Sequence, residues 1–448
     1  MQSNLLKYLD RRIPRYTSYP TAVQFGAQVD ARSYRRWLAA LPNDAPISIY
    51  IHVPFCAELC LYCGCHTTVA RRYAPIAAYV ELLESEIDMV GGLLAAPPVA
   101  QIHWGGGTPN ALRPPDLKRV MAALRANFTV PPTAEIAIEI DPRTLRPEHI
   151  AAMAAMGVTR ASLGVQDFEE RVQQTVRRMQ SFEQTAQAVD RLRGAGIANI
   201  NLDLMYGLPY QTVATIAATA RRALALDANR IALFGYAHVP WMKRHQRLIP
   251  EQALPDSNER YAQNCTAAEV LIDGGYRRIG LDHFARSDDP LAQRQSEGRL
   301  HRNFQGYTTD ESQILIGFGP SAIGSLPDGY VQNAPGMVAY RDAIVAGRPA
   351  TVRGSVLTPE DRLRRSIIER LMCDLHVDVA EICAIYDTNA DHFADELSRL
   401  DELVNDGIVE RSGSKVTVPE QARAFVRAVC AVFDAYVTND ETRFSRAS

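Results

Sequence analysis

The chain has 448 residues, of which 47% are apolar and 22% are charged, and it contains 27 glycines and 26 prolines. This length predicts two or three folded units, and the composition excludes collagen-like, low-complexity and disordered proteins. The formal net charge of −3 provides no overall attraction to nucleic acid or anionic lipid. An anionic ligand would therefore have to be bound by local arginines.

The longest uncharged stretch, Met89 to Leu112, does not have the composition of a membrane span. It contains five glycines and three prolines together with polar side chains. The N-terminal residues are charged and are not followed by an apolar segment, unlike a signal peptide. We therefore expect a cytoplasmic protein without a membrane span.

Short apolar strands alternate with amphipathic helices in the first half of the chain. The predicted strands are Ile47 to Val53, Gln101 to Trp104, Glu135 to Ile140, Arg160 to Val165, Ile200 to Met205 and Arg230 to Tyr236. The predicted helices are Pro75 to Gly91, Pro114 to Phe128, Pro147 to Gly157, Ser181 to Gly196 and Gln211 to Leu226. This alternation predicts an α/β fold with parallel strands, in either an open doubly wound sheet or a complete or partial barrel.

Residues that can perform chemistry lie in or just after each of the six predicted strands. In chain order they are the cysteines of residues 56–65, Gly105 to Gly107, Glu139, Gln166 with Asp167, Asp203, and Ala237 with His238. The carboxyl ends of parallel strands meet on one face, where α/β enzymes place their active sites. We therefore expect these features to surround one site.

The pattern changes in the second half of the chain. The alternation fades after about Gly280 into a polar segment, and from Thr358 the sequence becomes helical with a short two-strand signal. We expect an N-terminal extension (1–45) that covers the substrate, an α/β core (46–285), a connecting extension (286–356) and a helical, winged-helix-like C-terminal domain (357–448). That last part contains 11 Lys and Arg against 18 Asp and Glu, which favours packing or a lid over nucleic-acid binding.

Four of the eight cysteines, Cys56, Cys60, Cys63 and Cys65, form a C-x3-C-x2-C-x-C run. The other four are scattered singly, which is typical of buried thiols. This distribution excludes the disulfide framework of a small secreted protein. Thiolates bind iron–sulfur clusters or zinc, and the chain has no second C-x2-C pair for a zinc site built from two separated pairs. Three cysteines at this spacing indicate a four-iron cluster with one iron open.

The cysteine loop after the first strand, with the triple glycine before Thr108 and Pro109, resembles the radical S-adenosylmethionine (SAM) enzymes. This resemblance implies a partial (β/α)6 barrel of the TIM type, with a 4Fe-4S cluster held by Cys56, Cys60 and Cys63. Over nearly the whole chain, the sequence is similar to the oxygen-independent coproporphyrinogen III oxidase family of haem biosynthesis. The runs that carry this likeness are RYTSYPTA, YIHVPFC, HWGGGTP, IEIDPR, LGVQDF, DLMYGLP, YAHVP, LDHFA and HRNFQGYTT. Cys65 also favours this family, because the similar haem chaperones generally carry an aromatic residue there.

The family resemblance implies two SAM molecules beside the cluster, each with its own set of contacts. The first SAM would contact Tyr50, Gly106, Glu139 and Ile323. The second would contact Tyr62, Gly107, Thr108, Gln166, Arg178, Asp203 and Ala237. The catalytic site would be lined by Cys65, His52, Phe304 and Gln305, and the candidate cations for substrate carboxylates are Arg12, Arg15, Arg71, Arg72 and Arg302.

The implied reaction is the oxidative decarboxylation of two propionate side chains of coproporphyrinogen III to vinyl groups, which gives protoporphyrinogen IX. In each cycle, one electron from the cluster cleaves SAM, and the 5'-deoxyadenosyl radical removes a hydrogen from the propionate β-carbon. Loss of CO2 and one electron then leaves the vinyl group. The expected partners are this substrate and a flavodoxin or ferredoxin as electron donor, and we expect a monomer.

Three other interpretations remain open at this level. The chain could be a radical SAM relative that traffics haem or transfers methyl groups, which a haem-binding assay would separate. It could be a structural protein with a closed four-cysteine zinc site, which metal analysis would decide. A winged-helix regulator with an iron–sulfur sensor is disfavoured by the acidic C-terminal third.

Overall fold

The structure is a computed structural model that describes residues 6–437 of the chain. Its α-helices are α1 (Leu6–Leu9), α2 (Ala31–Ala39), α3 (Ala74–Gly91), α4 (Pro114–Asn127), α5 (Pro147–Met156), α6 (Glu170–Thr175), α7 (Phe182–Gly194), α8 (Val213–Ala225), α9 (Ser257–Asp273), α10 (Pro290–Ser296), α11 (Met337–Val345), α12 (Pro359–Asp374), α13 (Val379–Ile385), α14 (Ala394–Arg399), α15 (Asp401–Asn405) and α16 (Val426–Val432). None of these helices, within the described residues, has both the length and the apolar character needed to cross a membrane.

Nineteen strands are described between the helices. They are β1 (Ile47–Val53), β2 (Phe55–Cys56), β3 (Thr68–Val69), β4 (Val99–Gly106), β5 (Glu135–Ile140), β6 (Arg160–Gln166), β7 (Asn199–Tyr206), β8 (Arg230–Gly235), β9 (Tyr276–Ile279), β10 (His283–Arg286), β11 (His301–Asn303), β12 (Gly306–Thr308), β13 (Ile314–Phe318), β14 (Ile323–Leu326), β15 (Gly329–Asn333), β16 (Thr351–Val356), β17 (His376–Asp378), β18 (Glu410–Ser412) and β19 (Lys415–Thr417). The six predicted strands are therefore confirmed, two of them at their predicted bounds.

Twelve strands form one sheet in the order β16-β15-β14-β13-β1-β4-β5-β6-β7-β8-β10-β9. The strands from β13 through β1 and β4 to β8 pair in parallel, and helices connect β4, β5, β6, β7 and β8 in turn. Because β16 and β9 are the two edges of this sheet, it does not close on itself. This architecture agrees with the predicted α/β partial barrel.

The local sequence explains where several helices of this layer begin and end. In α8, Thr212 and Thr215 form a reciprocal capping box that satisfies free backbone donors at the helix N-terminus. Helix α5 has Pro147 in its first turn and ends at Gly157, whose φ of 82° is accessible to glycine at little cost. These signals explain why the predicted helices lie within a few residues of the observed ones.

The sheet also contains strands that the alternation did not reveal. Strand β13 pairs in parallel with β1, on the side opposite β4. In the polar segment after Gly280, β10 pairs antiparallel with β8. Every residue of β13 is buried, so its sequence shows no alternation of apolar and polar faces from which a strand could be recognised.

Two large hydrophobic cores, with three smaller clusters, organise the described residues. The first packs helices α2, α3, α4, α5, α7, α8 and α9 against the sheet. The second joins the C-terminal helices to the start of the chain, including Tyr8, Ile13 and Tyr19. The C-terminal helices and the sheet β17-β19-β18 agree with the winged-helix-like prediction, whose last eleven residues (438–448) lie outside the described residues. The four-part division of the chain stays a prediction.

Candidate active site

The carboxyl ends of the parallel strands surround a cavity of about 1010 Å³. Every residue that the sequence analysis assigned to the cluster, to SAM or to the catalytic site lines this cavity: Tyr50, His52, Cys56, Cys60, Tyr62, Cys63, Cys65, Gly106, Gly107, Thr108, Glu139, Gln166, Arg178, Asp203, Ala237, Phe304, Gln305 and Ile323. The tertiary structure therefore brings these residues together, while their individual roles stay predictions.

Some of the other candidates do not line the cavity. Of the five candidate arginines, Arg15 and Arg302 line it, whereas Arg12, Arg71 and Arg72 are not among its lining residues. Asp167, at the end of β6, is buried elsewhere and accepts hydrogen bonds from Thr219 Oγ1 and from the Gln211 side chain. Its carboxylate is consequently a structural group rather than part of the site.

The cysteine loop lies directly after β1 and is surrounded by hydrogen-bond donors. The guanidiniums of Arg143 and Arg178 each place a nitrogen 3.7 Å from Cys60 Sγ. Cys56 Sγ lies 3.5 Å from Thr108 Oγ1. Guanidinium and hydroxyl groups can donate hydrogen bonds to the sulfurs of a cluster, so this environment fits an iron–sulfur ligand set.

The geometry of the loop also bears on the zinc alternative. Among residues 6–437, no three His, Cys, Asp or Glu side chains converge as they would on a single metal ion. A four-iron cluster, in contrast, spreads its thiolate ligands over separate corners of a cube. The spacing of Cys56, Cys60 and Cys63 within one loop is that of a cluster ligand set and differs from the two separated pairs of a typical zinc site.

A segment between β8 and α9 holds the backbone of the cysteine loop from outside. Lys243 Nζ donates to the Cys65 carbonyl at 2.8 Å, and His245 Nε2 lies 2.8 Å from the Cys63 carbonyl oxygen. Gln246 Nε2 donates to the Tyr62 carbonyl at 3.0 Å. Sequence reasoning missed these contacts because the two segments are far apart in the chain and no local motif links them.

The glycine run at the end of β4 is required because other parts of the chain approach its backbone closely. Gly106 has a φ of 108°, and a Cβ at this position would lie 2.7 Å from the His52 ring. A Cβ on Gly107 would lie 2.7 Å from the Phe55 carbonyl oxygen. The absence of side chains therefore lets β4 approach the start of the cysteine loop and leaves room for a ligand beside it.

Neighbouring strands place a polar network on the floor of the cavity. Tyr50 Oη lies 3.1 Å from His52 Nδ1, and His52 Nε2 lies 3.0 Å from the His66 carbonyl oxygen. Burial lowers the pKa of His52, so the neutral ring donates from Nε2 and accepts from Tyr50. His103 Nε2 lies 3.2 Å from Glu139 Oε1, which ties β4 to β5.

The carboxylate of Asp203 is held on β7 by two donors. Ser162 Oγ donates to its Oδ2 at 3.0 Å, and Asn201 Nδ2 donates to its Oδ1 at 2.8 Å. Burial, together with the negative charge of Glu139, raises the pKa of Asp203 to about 6. Asp203 is therefore a carboxylate whose charge changes near neutral pH.

Arg178 and Arg143 share a carboxylate that the sequence analysis did not assign to the site. Asp141 Oδ2 lies 2.6 Å from Arg143 Nη2 and 3.5 Å from Arg178 Nη1. Arg178 Nη2 also donates to the Gly164 carbonyl at 2.6 Å. Asp141 and Arg143 both belong to the run IEIDPR, which the sequence analysis had singled out. They lie two positions apart in the turn after β5, and this turn lets both side chains face the cysteine loop.

Comparisons with known proteins agree with this geometry. The model of the radical SAM superfamily matches residues 50–223. The oxygen-independent coproporphyrinogen III oxidase of Bradyrhizobium diazoefficiens is 51% identical over 443 residues, which cover 99% of this chain and 98% of that protein. The enzyme of the same name from Paracoccus denitrificans is 42% identical and covers 97% of this chain and 96% of its own.

A solved structure extends the likeness to the fold. Coproporphyrinogen III oxidase from Escherichia coli, described as a radical SAM enzyme, superposes with a TM-score of 0.90 at 38% identity. The match covers 95% of this chain and all of the other. The sequence and structural likenesses both extend over almost the full length of the chain. The chain therefore belongs to the oxygen-independent coproporphyrinogen III oxidase family of radical SAM proteins.

Proposed function

We propose that this protein decarboxylates two propionates of coproporphyrinogen III oxidatively to vinyl groups and so produces protoporphyrinogen IX. The observation that carries this proposal is the single cavity in which the cysteine loop, the glycine run and the polar strand ends meet. Its relatives of this name match almost the full length of the chain. The cofactors are a 4Fe-4S cluster and two SAM molecules.

Each part of the cavity has a role in this reaction. When bound, the cluster and SAM supply one-electron reduction and hydrogen-atom abstraction. Cys56, Cys60 and Cys63 would hold the cluster, and Cys65 lies beside them in the same loop. Gly106 and Gly107 leave space for a ligand to approach the β4 backbone.

Polar side chains orient the SAM molecules. Glu139 and Asp203 would accept hydrogen bonds from hydroxyl or ammonium groups, and the positive charge of Arg178 would attract a carboxylate. Tyr50 and neutral His52 present a fixed hydrogen-bonded pair to the same cavity. Phe304 and Gln305 line the cavity from the β11–β12 hairpin, where they would contact the substrate.

The test uses anaerobically reconstituted, reduced protein supplied with SAM and coproporphyrinogen III. Chromatography should show protoporphyrinogen with two 5'-deoxyadenosines formed per molecule. Formation of 5'-deoxyadenosine without a vinyl product would support radical SAM chemistry and contradict coproporphyrinogen III as the substrate. Absence of SAM cleavage from protein that carries its full cluster would overturn the enzymatic proposal.

The affinity for SAM should decrease in acid because Asp203 then loses its charge. With a pKa of about 6, this carboxyl is ionised at pH 7.5 and mostly protonated at pH 5, so we expect SAM to bind about tenfold more weakly at pH 5. Isothermal titration of the cluster-loaded protein with SAM measures this. Asp203→Asn should bind weakly with a flattened pH profile, whereas Asp190→Asn, at an exposed position on α7, should keep the wild-type profile. An unchanged pH slope in Asp203→Asn would contradict the assignment.

We also propose that a flavodoxin or ferredoxin delivers the electron through the segment that contacts the cysteine loop. This segment exposes Trp241, Met242 and Leu248, which are 47%, 65% and 61% accessible. Arg244 and Arg247 are exposed beside them. An apolar patch bordered by arginines, next to the cluster loop, suits an acidic electron carrier.

Reversing these charges should weaken docking of the electron carrier and leave the radical chemistry unchanged. The double variant Arg244→Glu, Arg247→Glu is expected to raise the KM for reduced flavodoxin about tenfold at low ionic strength, because electrostatic steering is lost. Turnover driven by dithionite should be unchanged, since that reductant needs no docking surface. A variant that is equally slow with both reductants would contradict a docking role.

We propose that the C-terminal domain covers the tetrapyrrole and that the protein is a cytoplasmic monomer. Ala424 and Arg427 of this domain line the cavity, which supports a covering role. The four cysteines outside the cysteine loop, Cys265, Cys373, Cys383 and Cys430, form no disulfide with one another, as is typical of a reducing compartment.

A further inference from the structure

Three arginines from distant parts of the chain meet in the cavity. Arg15 comes from the N-terminal segment, Arg302 from β11 and Arg427 from α16, and all three line the same cavity as the cysteine loop. Guanidinium groups repel one another, so a protein gains nothing by collecting them unless an anion is also present. Their convergence therefore points to a negatively charged ligand.

Arg302 contributes a mostly buried side chain to this group. Its side chain is 7% accessible, and its guanidinium lies over the Tyr307 ring, 4.4 Å from the ring centroid. Within the described residues, its Nε and Nη1 have no hydrogen-bond partner. Asp282 Oδ1 lies 3.7 Å from Nη1, which is too long for a hydrogen bond. Buried donors of this kind are costly unless a ligand satisfies them.

Arg15 is fixed beside β8 by its backbone neighbours. Its Nη2 donates to the Gly235 carbonyl at 3.0 Å. Arg427 Nε donates to the Pro14 carbonyl at 2.9 Å, and its Nη2 donates to the Ile13 carbonyl, so Arg427 positions the chain directly before Arg15. Arg15 is exposed at the lining of the cavity, and the protein atoms packed around it lower its pKa.

The charges of Arg15 and Arg302 both act on the carboxylate of Asp282. Burial, together with the positive charges of Arg15 and Arg302, lowers the pKa of Arg427 to about 10. Asp282 acts on both Arg15 and Arg302, and these two guanidiniums help to hold its pKa well below the ordinary value although burial alone would raise it. Two guanidiniums thus share one carboxylate, which leaves a surplus of positive charge on this side of the cavity.

We propose that Arg15 and Arg302 form a carboxylate-binding subsite that holds a propionate of the tetrapyrrole, with Arg427 as a positioning residue. The inference rests on the proposed function for the identity of the substrate. A guanidinium binds a carboxylate through two parallel hydrogen bonds, so this contact fixes direction as well as position. Because Arg15 binds Gly235, two residues before Ala237, the subsite adjoins the predicted second SAM site. The anchored propionate would orient the macrocycle so that another propionate faces the reacting centre.

The test compares two porphyrins that differ only in their carboxylates. Coproporphyrin III, which has four carboxylates and does not react, and its tetramethyl ester are each titrated into the cluster-loaded protein and followed by fluorescence. The wild type should bind the acid at least about tenfold more tightly than the ester. Arg302→Gln and Arg15→Gln should each weaken binding of the acid by about 10- to 100-fold and leave ester binding unchanged. Arg302→Lys, which keeps the charge, should recover part of the difference.

Several controls separate the subsite from other effects. Arg299→Gln, an exposed position three residues before Arg302, should behave as the wild type. SAM binding by Arg302→Gln should be unchanged, and with coproporphyrinogen III its KM should rise more than its kcat falls. Equal wild-type affinity for acid and ester, or unchanged acid affinity in both glutamine variants, would overturn the subsite. The wild type could also bind the acid more tightly than the ester, through Arg302, and yet fail to turn over coproporphyrinogen III. That result would overturn the proposed reaction but keep the carboxylate-binding subsite.

Discussion

Replacing Gly107 by alanine is expected to lower the rate of 5'-deoxyadenosine formation by at least about 100-fold. A Cβ at this position would lie 2.7 Å from the Phe55 carbonyl oxygen and 3.0 Å from the Phe55 backbone nitrogen, well inside van der Waals contact. The backbone of β2 cannot move away freely, because Gly107 N donates to the Val53 carbonyl at 2.8 Å. The added methyl group must therefore displace the start of the cysteine loop, and a shift near 1 Å at a reacting centre costs about two orders of magnitude in rate.

The cysteine loop contains a matched control for this variant. A Cβ on Gly64, between Cys63 and Cys65, would meet no other atom within 4 Å. Gly64→Ala should therefore keep its cluster and its activity, although it adds the same methyl group to the same loop. Iron content, the visible spectrum of the cluster and SAM cleavage should be measured for both proteins. Equal activity of Gly107→Ala and the wild type would show that β4 and the loop do not need their close approach.

Replacing Glu86 by alanine is expected to destabilise the protein by about 4 kcal/mol at pH 5. Glu86 is a buried residue of α3, and its carboxyl accepts three hydrogen bonds of 2.7 Å, from Gly319 N, Asn333 Nδ2 and Tyr340 Oη. These donors lie on the chain after β13, on β15 and on α11. Alanine would leave three buried donors without this acceptor and would disconnect α3 from the outer part of the sheet.

The difference in stability between the wild type and Glu86→Ala should become smaller as the pH rises to 8. Burial raises the pKa of Glu86 from 4.5 to about 7, so the folded protein binds this proton more tightly than the unfolded chain does. The wild type therefore loses about 3 kcal/mol as the pH rises from about 4.5 to about 7, and the alanine variant has no such loss. Denaturant unfolding at pH 5 and pH 8 measures both differences. Glu81→Ala, at an exposed position of the same helix, should change stability little at either pH. A gap that widens at pH 8 would contradict the raised pKa.

Much of the site could be predicted because many of its residues belong to short local sequence motifs. Cys56, Cys60 and Cys63 are neighbours in the chain, and Gly106 and Gly107 end a strand that is itself recognisable from its pattern. Once the strands are predicted to be parallel, their carboxyl ends must share one face, so Glu139 and Asp203 are brought near the cysteines by topology alone. The structure confirms that all of these residues line one cavity.

The same rule gives the wrong result where a strand end turns away from the cavity. Asp167 follows β6 immediately after Gln166, but Gln166 has a φ of 70° and the next side chain is directed into the helical layer, where it binds Thr219. Sequence position identifies the strand end, whereas the backbone conformation decides which side chain faces the cavity. Asp141 and Arg143 show the opposite case, since both face the cavity from a run in which only Glu139 was assigned a role.

The sequence by itself determined the family and the parallel α/β core, because these depend on local spacing and on strand order. It also predicted the residues that would bind the cluster and SAM, and their roles stay predictions. Only the tertiary structure decided which distant groups complete the cavity. Lys243 and His245 hold the cysteine loop from a segment far along the chain, and Arg15 of the N-terminal segment meets Arg302 of β11 in the cavity. Such contacts leave no periodic or local signal, because their geometry is fixed by how separate elements pack and not by the residues beside them.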